Sequence, residues 1–246
     1  MASKDKAKVI AVFVAYNASK TLKDFYENFP KQLVDDIILV DDASKDNTFE
    51  LGKELGIKSY RNPINLGYGG NMKRALNLAL EEGADIIIDI HPDNEYKPNA
   101  IPHALEKIKS GSKFVLGYRF DSIWDLKKRG MYIWKIFPLF VLNKLPQIIL
   151  GINIKDPHQG FRVYTRELLE KVNFKENSKD YLFSFEIIAQ AVYKKIKIDE
   201  VPVETKYEGD KRGASFKSSA SYFFGVLKIL LFYLLAKSVY RTKIFR

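Results

Sequence analysis

The chain has 246 residues, 46% of them hydrophobic, which is enough to bury one sizeable core and makes a single main domain the default expectation. Forty Lys and Arg residues against thirty Asp and Glu give a net charge of +10, which favours an anionic partner: nucleic acid, a phosphorylated substrate or an anionic membrane. The absence of cysteine excludes disulfides, thiolate chemistry and Cys-ligated metals, and the polar segment 1–8 is unlike a signal peptide, so secretion is not expected.

Four short runs of β-branched and apolar residues predict buried parallel strands, and segments with helical spacing lie between them. The strands are expected at residues 8–16, 36–40, 86–90 and 113–117. The helices are expected at residues 21–29, 49–55, 70–82 and 100–110. This alternation predicts an α/β fold with a mostly parallel sheet and helices on both faces, in which ligands bind beyond the carboxyl ends of the strands.

The second half contains two apolar stretches. Residues 131–152 are interrupted by lysines and prolines, which excludes a clean membrane span. Residues 222–236 carry one charge, Lys228, and as a helix they would reach only ~22 Å against a ~30 Å hydrocarbon core, so a span is not expected. We therefore expect a main domain over residues 1–216 and an apolar, basic tail over 217–246 that lies on a membrane or forms an oligomer contact.

Two acids, Asp41 and Asp42, follow the second predicted strand. A buried apolar strand that ends in two carboxylates needs partners for them, and carboxylate oxygens can accept hydrogen bonds from a nucleobase or a ribose. We therefore expect a nucleotide contact here. Asp46 and Thr48 have a plainer interpretation, which is to cap the helix that begins near residue 49.

The segment after the third predicted strand reads His91-Pro-Asp93-Asn-Glu95. Magnesium and manganese prefer oxygen ligands, so Asp93 suits a divalent metal that bridges a diphosphate, whereas His91 is a less usual ligand for magnesium. The alternative is a solvated loop punctuated by prolines.

A glycine-rich turn over residues 65–71 opens the third predicted helix. It can bring backbone N–H groups near a phosphate, although it does not fit the dinucleotide pattern G-x-G-x-x-G. The alternative is that Gly67 and Gly69 permit positive φ angles. Further along the chain, residues 156–162, Glu186 and the basic segment after residue 200 are ambiguous by spacing alone, and a lone His158 is more often packed than catalytic.

Taken in order, these segments resemble the family 2 glycosyltransferases, and within them the dolichyl- and polyprenyl-phosphate sugar synthases. The resemblance covers roughly residues 8 to 220. Ala15-Tyr16-Asn17 is similar to P-x-Y-N-E, with Val14 and Ala18 replacing the usual Pro and Glu. Four further motifs are similar to V-D-D-G-S, N-x-G, D-x-D-x-Q-x-x-P and G-S-R, and they lie at residues 40–44, 65–67, 91–98 and 117–119. Two more resemble D-x-x-x-G-F-R and E-V-P-V, and they lie at residues 156–162 and 200–203.

The resemblance implies a GT-A fold and an inverting glycosyltransferase that moves a sugar from a GDP- or UDP-sugar to a polyprenyl or dolichyl phosphate, with Mg²⁺ or Mn²⁺ as cofactor. It also implies a site for each step. The residues expected to bind the nucleotide are Tyr16, Asn17, Asp41, Asp42, Asn65 and Gly67. Metal binding falls to Asp93, Glu95 and His91, and catalysis to Asp93, Arg119, Asp156 and Arg162. Binding of the acceptor phosphate falls to Arg129, Lys206, Lys211, Arg212 and Ser215.

Two alternatives stay open at this stage. The acceptor could be a glycan or another hydroxyl, in which case Asp156 is the candidate base. The chain could also be a nucleotide-sugar-binding module without turnover. Nucleic-acid binding is not expected, because the basic residues are spread along the chain and no RNA- or DNA-binding signature is present. A peripheral location at the cytoplasmic face of a membrane is expected, and homo-oligomerisation is left open.

Overall fold

A computed structural model describes residues 6–119, 133–205, 216–238, 240 and 242–246. The strands are β1 (Val9–Ala15), β2 (Asp36–Asp41), β3 (Lys58–Arg61), β4 (Ile86–Asp89), β5 (Phe114–Tyr118), β6 (Arg162–Thr165) and β7 (Ile198–Pro202). The helices are α1 (Leu22–Glu27), α2 (Thr48–Glu54), α3 (Tyr68–Glu81), α4 (Ile101–Lys109), α5 (Ile133–Leu150), α6 (Arg166–Lys171), α7 (Leu182–Tyr193) and α8 (Phe216–Ser238). The four strands and four helices expected in the first half are confirmed within two residues at their ends.

The strands form one sheet in the order β3-β2-β1-β4-β6-β5-β7. All neighbours pair in parallel except β6, which runs antiparallel to both β4 and β5. The expected mostly parallel sheet is therefore confirmed. Because β6 runs against its neighbours, its first residue, Arg162, lies opposite Asp89 at the end of β4. The carboxyl edge of the sheet thus gathers the ends of six strands and the start of β6.

Helices cover both faces of the sheet, and the central strand β1 is buried along its whole length. Successive side chains of a strand point to opposite faces, so Ile10 and Val12 join the core under α3, α7 and α8. Ala11 and Phe13 join the core under α1, α2 and α4. The sheet, with its carboxyl edge, is thus packed between two layers of helices.

Helix α8 is 23 residues long, or ~34 Å at 1.5 Å per residue, because residues on both sides of the apolar run continue the helix. The expected length of ~22 Å was too short. By length and composition alone, Ser218–Ser238 could cross a membrane. One face of the helix belongs to the same core as α3 and α7, and the buried residues on that face are Val226, Ile229, Leu230, Tyr233 and Ala236.

The opposite side of α8 faces outward and is largely apolar. We call Phe224, Leu231, Leu234 and Leu235 the outer face of α8; their exposed fractions are 66%, 54%, 47% and 37%. Large exposed apolar side chains at this spacing on one helix are unusual for a surface that meets only water. The helix therefore packs on the domain with one face and offers an apolar strip with the other.

Candidate active site

The two acids at the end of β2 have protein partners. Asp41 is fully buried; its carboxylate accepts a hydrogen bond from the Ser44 N–H and lies 3.4 Å from Arg61 Nε. Asp42 Oδ1 accepts from Asn62 Nδ2 at 2.7 Å and from the backbone N–H of Leu66 at 2.8 Å. Burial raises the pKa of Asp41, and the Ser44 hydrogen bonds oppose that shift. A need for partners therefore no longer argues for a nucleotide, and the nucleotide contact stays a prediction.

The loop after β1 lies against the loop after β2. Asn17 adopts a positive φ of 53°; its backbone N–H donates to Ser44 Oγ, and its Oδ1 accepts from the Lys45 N–H. Asn17 is therefore committed to holding these two loops together. Tyr16, beside it, is 48% exposed and presents an aromatic ring at the carboxyl edge of the sheet.

Helix capping explains Asp46. Its Oδ1 accepts from the backbone N–H of Thr48, the first residue of α2, and its Oδ2 accepts from the Ser19 N–H. The plainer interpretation of this acid is confirmed.

The glycine-rich turn at the start of α3 is packed against the segment 178–180. The backbone N–H groups of Gly69 and Gly70 donate to the Lys179 carbonyl oxygen, and a Cβ added at Gly69 would lie 2.4 Å from the Ser178 carbonyl oxygen. These N–H groups are therefore not open to a phosphate, and that interpretation was wrong for them. Gly67 has the expected positive φ, at 77°, and Gly69 does not.

The segment 91–95 brings two carboxylates near each other. Asp93 Oδ1 accepts from the backbone N–H of Glu95 at 3.0 Å. Burial raises the pKa of Glu95, and repulsion from Asp93 raises it further. Bringing a cation between such a pair would relieve this repulsion, so the oxygen-donor set suits Mg²⁺ or Mn²⁺.

The expected three-ligand set is not preassembled. Among the residues that the structure describes, no three His, Asp or Glu side chains lie close enough together to hold a metal. His91 turns its Nε2 inward, 3.7 Å from Asp89 Oδ1. A cation at Asp93 would therefore depend on oxygens from a bound ligand.

Arg119 and Asp156 form a bidentate ion pair. The Arg119 Nε lies 2.7 Å from Asp156 Oδ2 and the Arg119 Nη2 lies 3.1 Å from Asp156 Oδ1. Asp156 is 1% exposed, with both oxygens engaged. The structure does not support Asp156 as a free general base. It supports a positioning function for Asp156, which holds the partly exposed guanidinium of Arg119 at the end of β5.

Arg162 is buried beneath the carboxyl edge, with 2% of its surface exposed. Its Nε makes no hydrogen bond to the described part of the chain. The expected catalytic role of Arg162 would need its guanidinium to meet the reacting groups, and this burial does not fit that role. The side chain faces the inner cluster around Asp89, which is its partner across the strand register.

The sequence model of Glycosyl transferase family 2 matches residues 10–172, about two thirds of the chain. This chain belongs to glycosyl transferase family 2. The match covers the loops after β1, β2 and β4 and the Arg119–Asp156 pair. The predicted family is confirmed.

Two relatives illustrate the family. The chain is 29% identical over 217 residues to the UDP-N-acetylglucosamine–dolichyl-phosphate N-acetylglucosaminyltransferase of Methanococcus voltae. The aligned region covers 81% of this chain and 86% of the relative. It is 25% identical over 175 residues to the polyprenol monophosphomannose synthase of Mycolicibacterium smegmatis, spanning 68% of this chain and 65% of the relative.

The fold has a solved counterpart. Glucosyl-3-phosphoglycerate synthase from Mycobacterium tuberculosis superposes with a TM-score of 0.72 at 18% identity, covering 93% of this chain and 80% of that one. At this identity the likeness concerns the fold alone, and it confirms the expected GT-A architecture of this glycosyltransferase.

All five residues expected to bind the acceptor phosphate lie outside the described residues: Arg129, Lys206, Lys211, Arg212 and Ser215. Sequence reasoning also missed several residues that shape the site. Asn62 and Leu66 hold Asp42, and Tyr68 stacks on Tyr181, with ring centroids 5.3 Å apart. Asp89 was also missed. The signal that could have found it is an acid in the last position of an apolar strand.

Glu200 binds the backbone next to Asp156 and so helps to position the Arg119–Asp156 pair. Its Oε1 accepts from the backbone N–H of Lys155 at 2.8 Å, directly before Asp156. Burial raises the pKa of Glu200 to about 7, against 4.5 for an ordinary glutamate, and hydrogen bonds from the backbone of residues 155 and 156 oppose the shift.

This raised pKa predicts a pH effect on the stability of the glycosyltransferase. Between about pH 4.5 and 7 the folded state binds more protons at Glu200 than the unfolded state does, so this group's contribution to stability falls as the pH rises through that window. In Glu200→Gln the free energy of unfolding should fall less between pH 4.5 and 7 than it does in wild type, as measured by urea unfolding across this pH range. Glu204→Gln, at an exposed glutamate paired with Lys97, is the control and should not flatten the decline. Identical pH profiles for wild type and Glu200→Gln would contradict the assignment.

Proposed function

We propose that this family 2 glycosyltransferase moves a sugar from a nucleoside diphosphate donor to a polyprenyl or dolichyl phosphate at a membrane surface. The names of two relatives support the acceptor, because one is a dolichyl-phosphate transferase and the other a polyprenol monophosphomannose synthase. The observation that carries the proposal is structural: α8, whose outer face is apolar, contacts the loop that supplies Asp156.

That contact runs through His158. Its Nδ1 lies 2.7 Å from the Tyr222 hydroxyl of α8, and its Nε2 lies 3.0 Å from the Leu142 carbonyl oxygen of α5. A carbonyl only accepts, so Nε2 carries the proton and Tyr222 donates to Nδ1. Burial lowers the pKa of His158 to about 4, which keeps the ring neutral. A neutral, packed histidine thus ties α8 to the loop that supplies Asp156, and Asp156 in turn holds Arg119.

For the donor, we propose that Tyr16, Asn17, Asp41, Asp42, Asn65 and Gly67 form the nucleoside side of the site. Tyr16 offers an exposed ring for stacking, and Asn65 Nδ2 bonds the Asp42 carbonyl oxygen while its Oδ1 accepts from the Gly67 N–H. These contacts give the loop after β3 a fixed shape around Asp42. A UDP-sugar is the first donor to test, because the Methanococcus relative is named for UDP-N-acetylglucosamine. GDP-sugars are the second.

The difficult step is the build-up of negative charge on the departing nucleoside diphosphate. Asp93 and Glu95 would hold a divalent cation, which when bound supplies Lewis-acid neutralisation of that charge. Structures of glucosyl-3-phosphoglycerate synthase with Mn²⁺ and UDP-glucose lend the metal general support. Arg119, fixed by Asp156, adds a second positive charge.

An acceptor phosphate is already anionic at neutral pH, so alignment matters more than a strong base. This agrees with the commitment of Asp156 to Arg119. A hydroxyl acceptor would need a base, and the carboxylate expected to serve it has both oxygens engaged in an ion pair.

Membrane contact is the last part of the proposal. The outer face of α8 is flanked by the exposed residues Lys228 and Lys237, and the chain ends in further basic residues. Such a helix lies in the interface plane, and each Lys or Arg near an anionic surface adds ~1 kcal/mol. We propose a peripheral association with the cytoplasmic face.

The test is a transfer assay with purified protein, Mn²⁺, labelled UDP-N-acetylglucosamine, UDP-glucose or GDP-mannose, and polyprenyl phosphate in anionic liposomes. We expect label in the lipid extract with one of these donors. The matched control is polyprenol without its phosphate, which should give no product. Transfer to a soluble hydroxyl acceptor with none to the lipid phosphate would contradict the proposal, and nucleotide binding without any transfer would indicate a binding module.

A further inference from the structure

Tyr96 connects two loops of the candidate site, loop 91–97 after β4 and loop 156–161 before β6. The residue is buried, with 5% of its surface exposed, and its hydroxyl oxygen accepts a hydrogen bond from the backbone N–H of Gly160 at 3.0 Å. The aromatic ring packs on the same glycine, because a Cβ added at Gly160 would lie 2.9 Å from Tyr96 Cε2. One side chain of the first loop thus contacts the second loop through both its ring and its hydroxyl.

The loop that Tyr96 contacts is itself fixed to the end of β5. The Gln159 side chain bonds both backbone groups of Phe161, and the Phe161 carbonyl oxygen accepts from the Gly117 N–H at 3.1 Å. A Cβ added at Gly117 would lie 3.1 Å from Gln159 Oε1, so the two segments are in close contact. Gly117 is followed closely in the chain by Arg119. This loop and Arg119 therefore belong to one packed unit.

Loop 91–97 is attached to both halves of the chain. In the first half, the Pro92 carbonyl oxygen accepts from Thr21 Oγ1 at 2.6 Å. In the second half, the Lys97 N–H donates to the Glu204 carbonyl oxygen at 3.0 Å, and Lys97 Nζ lies 2.9 Å from Glu204 Oε2. The backbone contacts of Lys97 hold the end of the loop near β7, and the side chain of Tyr96 adds the contact with loop 156–161.

The Tyr96 hydroxyl lies among charged groups from both loops. It interacts electrostatically with Arg119, Glu95 and Asp156. A phenol is neutral at neutral pH, so Tyr96 acts here through its contacts and adds no charge of its own. Because Glu95 is its neighbour in the chain, a displacement of Tyr96 would move that carboxylate relative to the Arg119–Asp156 pair.

We infer that Tyr96 is a positioning residue that fixes the distance between the loop carrying Asp93 and the guanidinium of Arg119. This inference rests on the proposed function, in which Asp93 and Arg119 act on the phosphates of one reaction step. A displacement of ~1 Å between reacting groups can cost about 100-fold in rate. Tyr96 is buried and is not placed against either substrate, so its hydroxyl should matter for the rate of transfer and little for the binding of each substrate.

The test is Tyr96→Phe, which removes the hydroxyl and keeps the ring packed against Gly160. The contacts between Lys97 and Glu204 also remain, so we expect a folded protein with a melting temperature near that of wild type. In the transfer assay, kcat should fall about 10-fold or more. The dissociation constant of UDP, measured by calorimetry, and the KM for polyprenyl phosphate should stay close to the wild-type values. A residue that only supports the fold would instead lower the melting temperature and weaken UDP binding together with kcat.

Two further variants complete the comparison. Tyr60→Phe is the matched control, because it removes a tyrosine hydroxyl that bonds Glu82 at 3.5 Å on the edge strand β3, and kcat should not change. Gly160→Ala disturbs the contact from the other loop, since the added Cβ forces the Tyr96 ring to shift, and kcat should fall as in Tyr96→Phe. An unchanged kcat in both site variants would overturn the inference.

Hydrogen exchange of the Gly160 amide, followed by NMR, gives a readout that needs no turnover. The amide should be protected in wild type and should exchange faster in Tyr96→Phe, while the Gly117 amide, which is bonded to Phe161, stays protected in both. A wild-type protein that transfers no sugar would contradict the proposed function. Equal exchange of the Gly160 amide in wild type and Tyr96→Phe would overturn the inference whether or not sugar is transferred.

Discussion

Asp93→Asn is expected to lower the rate of sugar transfer by on the order of 10³-fold while the protein stays folded. Lewis-acid stabilisation of the leaving diphosphate is worth several kcal/mol, and ~4 kcal/mol corresponds to about 10³ in rate. Asp93 is partly exposed, and the hydrogen bond its carboxylate accepts, from the Glu95 N–H, can also be accepted by an amide oxygen. Folding should therefore survive. Initial rates with saturating Mn²⁺ and a thermal melt of the same sample measure the two effects.

The control for this variant lies in the same loop. Asn94→Gly removes a side chain that bonds the exposed Asp24 at 2.9 Å, and glycine tolerates the positive φ of 61° at this position, so the rate should stay within a few-fold of wild type. If Asp93→Asn transferred sugar at the wild-type rate, the cation would have to be held elsewhere. If both variants lost activity together, the loop's shape rather than the carboxylate would be responsible.

The triple variant Leu231→Ser/Leu234→Ser/Leu235→Ser is expected to weaken binding to anionic liposomes by at least ~100-fold. Burying one leucine side chain is worth ~1.5–3 kcal/mol, and three half-exposed ones that enter an interface only in part should together still contribute ~3 kcal/mol. All three residues lie on the outer face of α8, so the core side of the helix is left intact. Flotation with liposomes at low and high salt measures the change.

Removal of residues 221–246 would be a poorer test. That deletion takes Val226, Leu230 and Tyr233 out of the core, so a loss of membrane binding could simply follow from unfolding.

The control for the triple variant is Ile64→Ser, at an exposed aliphatic residue in the loop after β3, and this variant should bind liposomes like wild type. If the triple variant floats as well as wild type, the outer face covers something else, and sedimentation would show whether that is a second copy of the chain.

The strands that the sequence predicts are those whose burial is imposed by their own composition. β1, β2, β4 and β5 are apolar runs, whereas β3 reads Lys-Ser-Tyr-Arg and lies at the edge of the sheet, where one side of the strand has no neighbour to bury. β6 begins with Arg162, and a charged residue is seldom fully buried, so composition does not predict this strand. Arg162 lies opposite Asp89 in the strand register, a pairing that only the tertiary structure supplies.

In the candidate site, too, the sequence predicts local features but not contacts between residues that are distant in the chain. Strand ends could be located from the sequence, and so could the polar residues that gather there. Their pairing could not, because the partners are distant in the chain: Asp156 is 37 positions from Arg119, and Leu66 is 24 positions from Asp42. The sequence therefore makes Asp156 a candidate base and Arg162 a catalytic residue, and it predicts neither the ion pair of Asp156 nor the burial of Arg162.

The contact between Gly69 and the segment 178–180 links the evolution of the two halves of this chain. A Cβ at position 69 would meet the carbonyl oxygens of Ser178 at 2.4 Å and Asp180 at 2.7 Å, and these are backbone atoms that cannot rotate aside. Homologues that carry a side chain at position 69 must therefore also have a differently routed segment 178–180, and with it a different setting for Tyr181. Chimeras joined between residue 69 and residue 178 should therefore be viable only when both sides of this contact come from one parent.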